Sequence, residues 1–363
     1  MAMLLGGGVA WSIPTSDLLT VVATVPVGAG PMTPLVDEAT ARVFVPNAYD
    51  GTVTVIDAAA RVAVATIAVS GVEGEELRAA VLDSARSRIF VLTDGNRVVT
   101  VDTASAAVVR RETVPDEAQD LALDPARGLV YVLGSMPGRL TTLGSPSGRA
   151  IRSVRLSREP DVLAVNPRSG RVFLDDRRGA AGSIAAVDPR TGTPAWAVRP
   201  ARVVVGFVFD ASGRRAYVPL AADDGGGSML VVDTRARRII ARLEVGAPPL
   251  LPVLDPSHRR AYVSDGSGSV VVLDTGSLAV TGQIATGGRP GQPALDGPRN
   301  RLFVPLDSPT GGSVAVYDTG SGGLVATVAV ARQPGPPAID STGASAYVVS
   351  AAARTVSIVS VGS

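Results

Sequence analysis

The chain reads as short apolar runs broken by polar punctuation. In residues 34–69 the runs are Pro34-Leu-Val-Asp37, Arg42-Val-Phe-Val45, Thr52-Val-Thr-Val-Ile-Asp57 and Arg61-Val-Ala-Val-Ala-Thr-Ile-Ala-Val69. They are rich in Val, Ile, Thr and aromatics, and Gly, Asp, Ala and Arg separate them, which is the pattern of four short β-strands joined by tight turns. No segment sustains a 3.6-residue apolar period, so almost no helix is expected.

The same four-run unit returns along the chain. An acid or amide is followed seven positions later by an aromatic in Asp37/Phe44, Asp83/Phe90, Asp124/Tyr131, Asn166/Phe173, Asp210/Tyr217, Asp255/Tyr262, Asp296/Phe303 and Asp340/Tyr347. Successive pairs lie 41 to 46 residues apart. Such a unit cannot bury its own faces and must stack on copies of itself. Four strands per unit of this length make a propeller blade. The expected fold is all-β, a single eight-bladed β-propeller of four-stranded antiparallel blades. A seven-bladed ring with an extra partial unit is the alternative.

The last unit supplies only three strands, ending in Thr355-Val-Ser-Ile-Val359, and Leu19–Val25 falls in register to supply the fourth. The closing blade is therefore shared by the two termini, which removes the open edge. The propeller is expected to occupy residues 16–363. Residues 1–15 are apolar and Gly-rich, like the tail of a signal or anchor segment, but lack a basic start and a clear cleavage site. The alternative is a spare strand, because Val9-Ala-Trp-Ser-Ile13 also falls at third-strand register.

Ala261-Tyr-Val-Ser-Asp265, followed by Ser269-Val-Val-Val-Leu-Asp-Thr275, resembles the YVTN-repeat propellers. Val22-Ala-Thr-Val-Pro-Val-Gly28 and Leu324-Val-Ala-Thr-Val-Ala-Val330 resemble that family's fourth strand. The resemblance covers nearly the whole chain and implies the fold. It leaves function open, because the family includes binding proteins, surface proteins and enzyme-associated domains.

Composition narrows the chemistry. All 34 basic residues are Arg, so a lysine Schiff base is excluded. Cysteine is absent, which excludes disulfides and thiolate metal sites. The net charge of +1 gives no basic field for nucleic acid, and eight of the twelve Phe and Tyr residues are blade anchors. No apolar run is long enough to span a membrane. An exported protein, secreted, periplasmic or on the cell surface, fits the apolar N-terminus. The single histidine, His258, lies in a turn and reads as solvent-exposed and structurally neutral, and one histidine cannot build a histidine zinc site.

Topology divides the acids between two faces. The 1→2 and 3→4 turns share one face, and thirteen of the 25 aspartates repeat there as turn caps. The 2→3 loops and 4→1 connections share the other face; the 2→3 loops vary in length, and the 4→1 connection is constant except after blade one, where Gly71–Glu76 adds four residues. Sixteen acids against eleven arginines map to that variable face, while the turn face carries eighteen arginines against fourteen acids. Variable loops on a rigid scaffold are where binding usually sits. The candidate partner- or ligand-binding residues are Asp50, Glu73, Glu75, Glu76, Asp94, Asp175, Asp176, Asp223, Asp224, Asp265 and Asp307. The plainer reading of any one of them is a good turn residue.

No motif calls for a cofactor, though clustered carboxylates and loop carbonyls could hold Ca²⁺ or another divalent cation. Glu117, Asp120, Glu159 and Asp161 lie in adjacent units near the expected channel and are the metal candidates. They support a second reading, a metal-assisted lactonase or hydrolase centred on the channel. The primary expectation is a non-enzymatic scaffold that binds a protein or small ligand through its acidic variable face. A third reading is an accessory subunit of a larger assembly.

Overall fold

The computed structural model describes residues 19–115, 117–157, 159–176, 183–200, 202–222, 224–340 and 345–361. They form eight antiparallel blades arranged as a β-propeller. Blade one runs Leu35–Asp37, Arg42–Asn47, Thr52–Asp57 and Val62–Ala68, each strand paired with the next. First strands of blades six, seven, eight, one, two, three and four adjoin in turn around the axis. In blades five and seven the first strand is broken into Val203–Val204 and Val208–Phe209, and into Arg289–Pro290 and Ala294–Asp296. Val205-Gly206 and Gly291-Gln292-Pro293 interrupt the ladder there, since glycine weakens a strand and proline cannot donate to it.

Second and third strands are covered on both sides by neighbouring blades, which explains their near-continuous apolar runs. All eight anchor aromatics are at most 2% exposed. Burying such a ring stabilises the fold by about 3 kcal/mol. The seven-residue interval follows from this geometry. The Asx ends or directly follows strand one, a tight turn reverses the chain, and the aromatic is the third residue of the paired strand two (the second in blade four), as Leu35 opposite Phe44 shows in blade one.

Val21–Pro26 closes the ring as the fourth strand of blade eight, pairing with Thr355–Ser360 in a register that sets Thr24 opposite Ser357. The eight-bladed reading and the shared closing blade therefore hold, and the seven-bladed alternative falls. The Val9–Ile13 segment lies outside the described residues.

The turn aspartates cap their turns as expected. Asp57 Oδ1 accepts from the N–H groups of Ala59 (2.9 Å) and Ala60 (2.7 Å), and Asp102, Asp188, Asp233, Asp274 and Asp318 repeat the motif. Several first-strand caps also pair with the side chain three residues on: Asp83 with Arg86, Asp124 with Arg127 and Asp296 with Arg299. His258 holds this place in blade six. Its Nδ1 lies 2.8 Å from Asp255 Oδ2, and the ring is only 27% exposed. The expectation of a solvent-exposed histidine without a structural part is thereby corrected, because the turn folds the ring back onto the buried carboxylate.

Arginine also stitches blades together. Arg42 donates to the carbonyl of Thr103 (3.0 Å) in blade two, and Arg215 and Arg260 reach the carbonyls of Thr275 and Thr319 in the same way. A guanidinium offers five donors in a planar fork, so one side chain can serve its own turn and the next blade. This gives the lysine-free composition a structural use.

Candidate binding mouth on the variable face

The inner rim of this face is built by a repeated pairing. In seven blades a residue at the start of the first strand, or a few positions before it, pairs with the residue three beyond the anchor aromatic. The pairs are Pro31 with Asn47, Leu77 with Thr93, Ala118 with Gly134, Val204 with Leu220, Pro249 with Asp265, Pro290 with Leu306 and Pro334 with Ser350. Seven blades thus present an apolar residue at the channel mouth, and four of the seven are proline. Proline has no N–H to leave unpaired on a strand edge, which suits it to this position. A groove of about 730 Å³ spans blades five to eight, walled by Pro249, Leu250, Pro290 and Pro334 with Arg289 and Asp307 at its edge.

Most candidate acids tie loops together across this rim. Asp50 Oδ2 accepts from Ala29 N–H (2.7 Å), Asp94 Oδ1 from Glu76 N–H (3.1 Å), and Asp307 Oδ1 from Gln333 N–H (3.0 Å). Asp175 Oδ1 accepts from the N–H groups of Asp161 (2.8 Å) and Val162 (2.9 Å), and Asp224 from that of Gly226 (3.0 Å). Asp265 is 2% exposed and accepts from the N–H groups of Ser267 and Ser269 and from the Ser269 hydroxyl. Burial opposes its ionisation, but these serine hydrogen bonds outweigh the opposition and hold its carboxyl below the ordinary range.

Glu75 is also buried and draws on two other side chains. Thr93 and Arg97 side chains and the Gly71 N–H converge on its carboxylate, pinning the long connection after blade one. Desolvation again works against the charge, and the hydrogen bonds from Thr93, Arg97 and Gly71 prevail to lower its pKa. Asp175, Glu75 and Asp265 therefore turn their carboxylates into the protein. Asp50, Glu73, Glu76, Asp94 and Asp224 remain exposed. Asp223 and the side chain of Asp176 lie outside the described residues.

Apolar exposure picks out the same face. Among the described residues fourteen large hydrophobic side chains are exposed, and nine lie on the outer, fourth strands. Of the other five, Tyr49, Val72, Met136 and Leu250 sit on variable-face loops, and Val203 opens the first strand of blade five. Tyr49 is 68% exposed and Val72 59%. Both lie at the junction of blades one and two, in the loops that carry Asp50, Glu73 and Glu76, with Asp94 bonded to the Glu76 backbone. The sequence reading found these acids and missed the apolar rim. Its signal was present in Pro31/Pro34, Pro249/Pro252, Pro290/Pro293 and Pro334/Pro337, a repeated i, i+3 proline pair in four consecutive blades of the ring.

The channel candidates are only partly brought together. Asp120 lies in the first strand of blade three, where its Oδ1 takes the Leu121 N–H (2.8 Å) and its Oδ2 the Leu163 N–H of blade four (3.4 Å). Burial pushes its pKa up to about 6, and the nearby Asp175 charge adds to the rise. Asp161 reaches this pair through its backbone N–H on Asp175. Glu117 is exposed and Glu159 half-buried. Among the described residues no three His, Asp or Glu side chains gather in a metal-binding group.

No protein-family model matches the chain, and no curated protein matches it. Solved structures do. The Dos1 propeller shares 12% identity with a TM-score of 0.78, over 96% of this chain and 97% of that one. The C-terminal WD40 domain of Sif2 shares 9% identity with a TM-score of 0.75, over 96% and 99%. A chain of the mitotic checkpoint complex shares 12% identity with a TM-score of 0.61, over 100% and 98%. At these identities the likeness establishes the fold alone: over nearly its whole length the chain is built like the WD40-type β-propellers.

Proposed function

We propose that this propeller is a non-enzymatic binding scaffold that engages a protein partner through its variable face. The observation that carries the reading is the lip of blades one and two. There Tyr49 and Val72 stand exposed among the accessible carboxylates Asp50, Glu73, Glu76 and Asp94. An aromatic anchor on loops held by Glu75 and Asp50 is preorganised, so binding would cost little loop ordering. The acidic surroundings select a partner segment that combines apolar and basic side chains. The mitotic checkpoint complex, whose chain shares this fold, supports a role in assemblies. The YVTN-like strands support placing the chain among the YVTN-repeat propellers.

The test is affinity capture of partners from the native source with the wild-type chain and with Tyr49→Ala/Val72→Asp. A discrete partner recovered by the wild type and lost by the variant, with the melting temperature unchanged, supports the reading. Equal recovery by both chains would overturn it.

A further inference from the structure

The opposite, turn face carries a second feature. A groove of about 660 Å³ follows the seam between blades four and five. Five arginines line it, Arg168, Arg171, Arg214, Arg235 and Arg237, and no carboxylate does. Four of them are exposed and Arg171 is half-buried. Among the described residues none of these guanidiniums donates a hydrogen bond or joins an ion pair. Some arginines of this face are tied down, Arg86 and Arg127 by turn aspartates and Arg42 by a carbonyl of the next blade; what sets the groove apart is that five untied ones gather along one seam.

The repeat itself shows how the charge is left unbalanced. Seven blades end the first strand in Asp, and blade four ends it in Asn166. The Asn166 amide donates to the Gly213 carbonyl (2.7 Å) and accepts from the N–H groups of Arg168 (3.1 Å) and Ser169 (2.9 Å). A carboxylate could accept but not donate. Gly213 is required at this approach, because a Cβ there would stand 2.6 Å from Asn166 Oδ1 and its φ is +64°. The groove floor is thus sealed and neutral beneath five unpaired cations. The half-buried Trp196 forms one wall, edge-on to Phe173 at 5.3 Å.

We propose that this groove binds a carboxylate-rich segment of a partner protein. Guanidinium forks match carboxylates in a bidentate geometry, and several along one seam suit an extended acidic chain. Trp196 offers a single apolar contact rather than the series of stacking rings that single-stranded nucleic acid requires. The site lies on the face opposite the mouth, so it stands independently of the reading given above.

Fluorescence anisotropy of a labelled glutamate-rich peptide, titrated with the full chain at low ionic strength, measures the interaction. The wild-type chain binds, and Arg168→Gln/Arg235→Gln weakens binding about tenfold. Both side chains are exposed and unbonded, and a thermal melt checks that the variant folds. Arg289→Gln and Tyr49→Ala, on the other face, leave the affinity unchanged. The proposal is overturned if the wild type does not bind, if the double variant binds equally well, if Arg289→Gln loses as much, or if a single-stranded oligonucleotide of equal charge binds more tightly than the peptide.

Discussion

At the scale of single residues, the acids of the variable face divide by the direction of their carboxylates. Glu75 turns inward and holds Arg97, Thr93 and the Gly71 backbone together. Glu75→Ala strands the Arg97 cation, so the protein is expected to lose about 2–3 kcal/mol in urea unfolding, with proteolysis appearing first in residues 69–76. Asp120 behaves in the opposite sense. Its folded pKa of about 6 lies above the ordinary 3.8, so the folded chain holds more protons in that window, and stability falls as pH rises through it. Relative to the wild type, Asp120→Asn should gain stability between pH 4 and 7, by at most about 3 kcal/mol. A stability difference that does not change with pH would contradict this. The acids themselves were legible in the sequence. Their direction was not, because it depends on backbone N–H groups such as Ala29 and Gln333, brought close only by the closed ring.

At the scale of strands, the repeat transmitted the fold almost completely. Turn length fixes the Asx-to-aromatic interval, and burial on both faces fixes the apolar runs, so strand positions follow from local pattern. The outer strands differ around the ring. Those of blades two, three and five carry charge, for example Arg110, Arg111, Arg152 and Arg242. Those of blades six, seven, eight and one, Ala279–Ala285, Leu324–Val330, Val21–Pro26 and Val62–Ala68, carry none. Val64 and Leu324 are 53% and 58% exposed on these edges. Uncharged exposed edges invite strand pairing between copies. Val64→Arg/Leu324→Arg is therefore expected to lower self-association at high concentration, measured by light scattering, without lowering the melting temperature.

At the scale of the whole molecule, the two termini close one ring, and the two faces of that ring differ in chemistry. Removing residues up to Val25 would strip the strand paired with Thr355–Ser360. Thermal melting should then move down by several degrees and lose its single cooperative transition. The ring holds a proline-rimmed mouth with an acidic, aromatic lip on one side and an arginine groove on the other. The central claim is that the lip is the surface that meets a partner. The most direct measurement places a photo-crosslinking residue at Val72, and separately at Ser277 on the turn face, and compares what each captures in the native source. The account predicts a discrete adduct from position 72 that disappears when Tyr49→Ala is added, and none of that species from position 277. Capture of the same partner from position 277, or an adduct at position 72 that survives Tyr49→Ala undiminished, would contradict it.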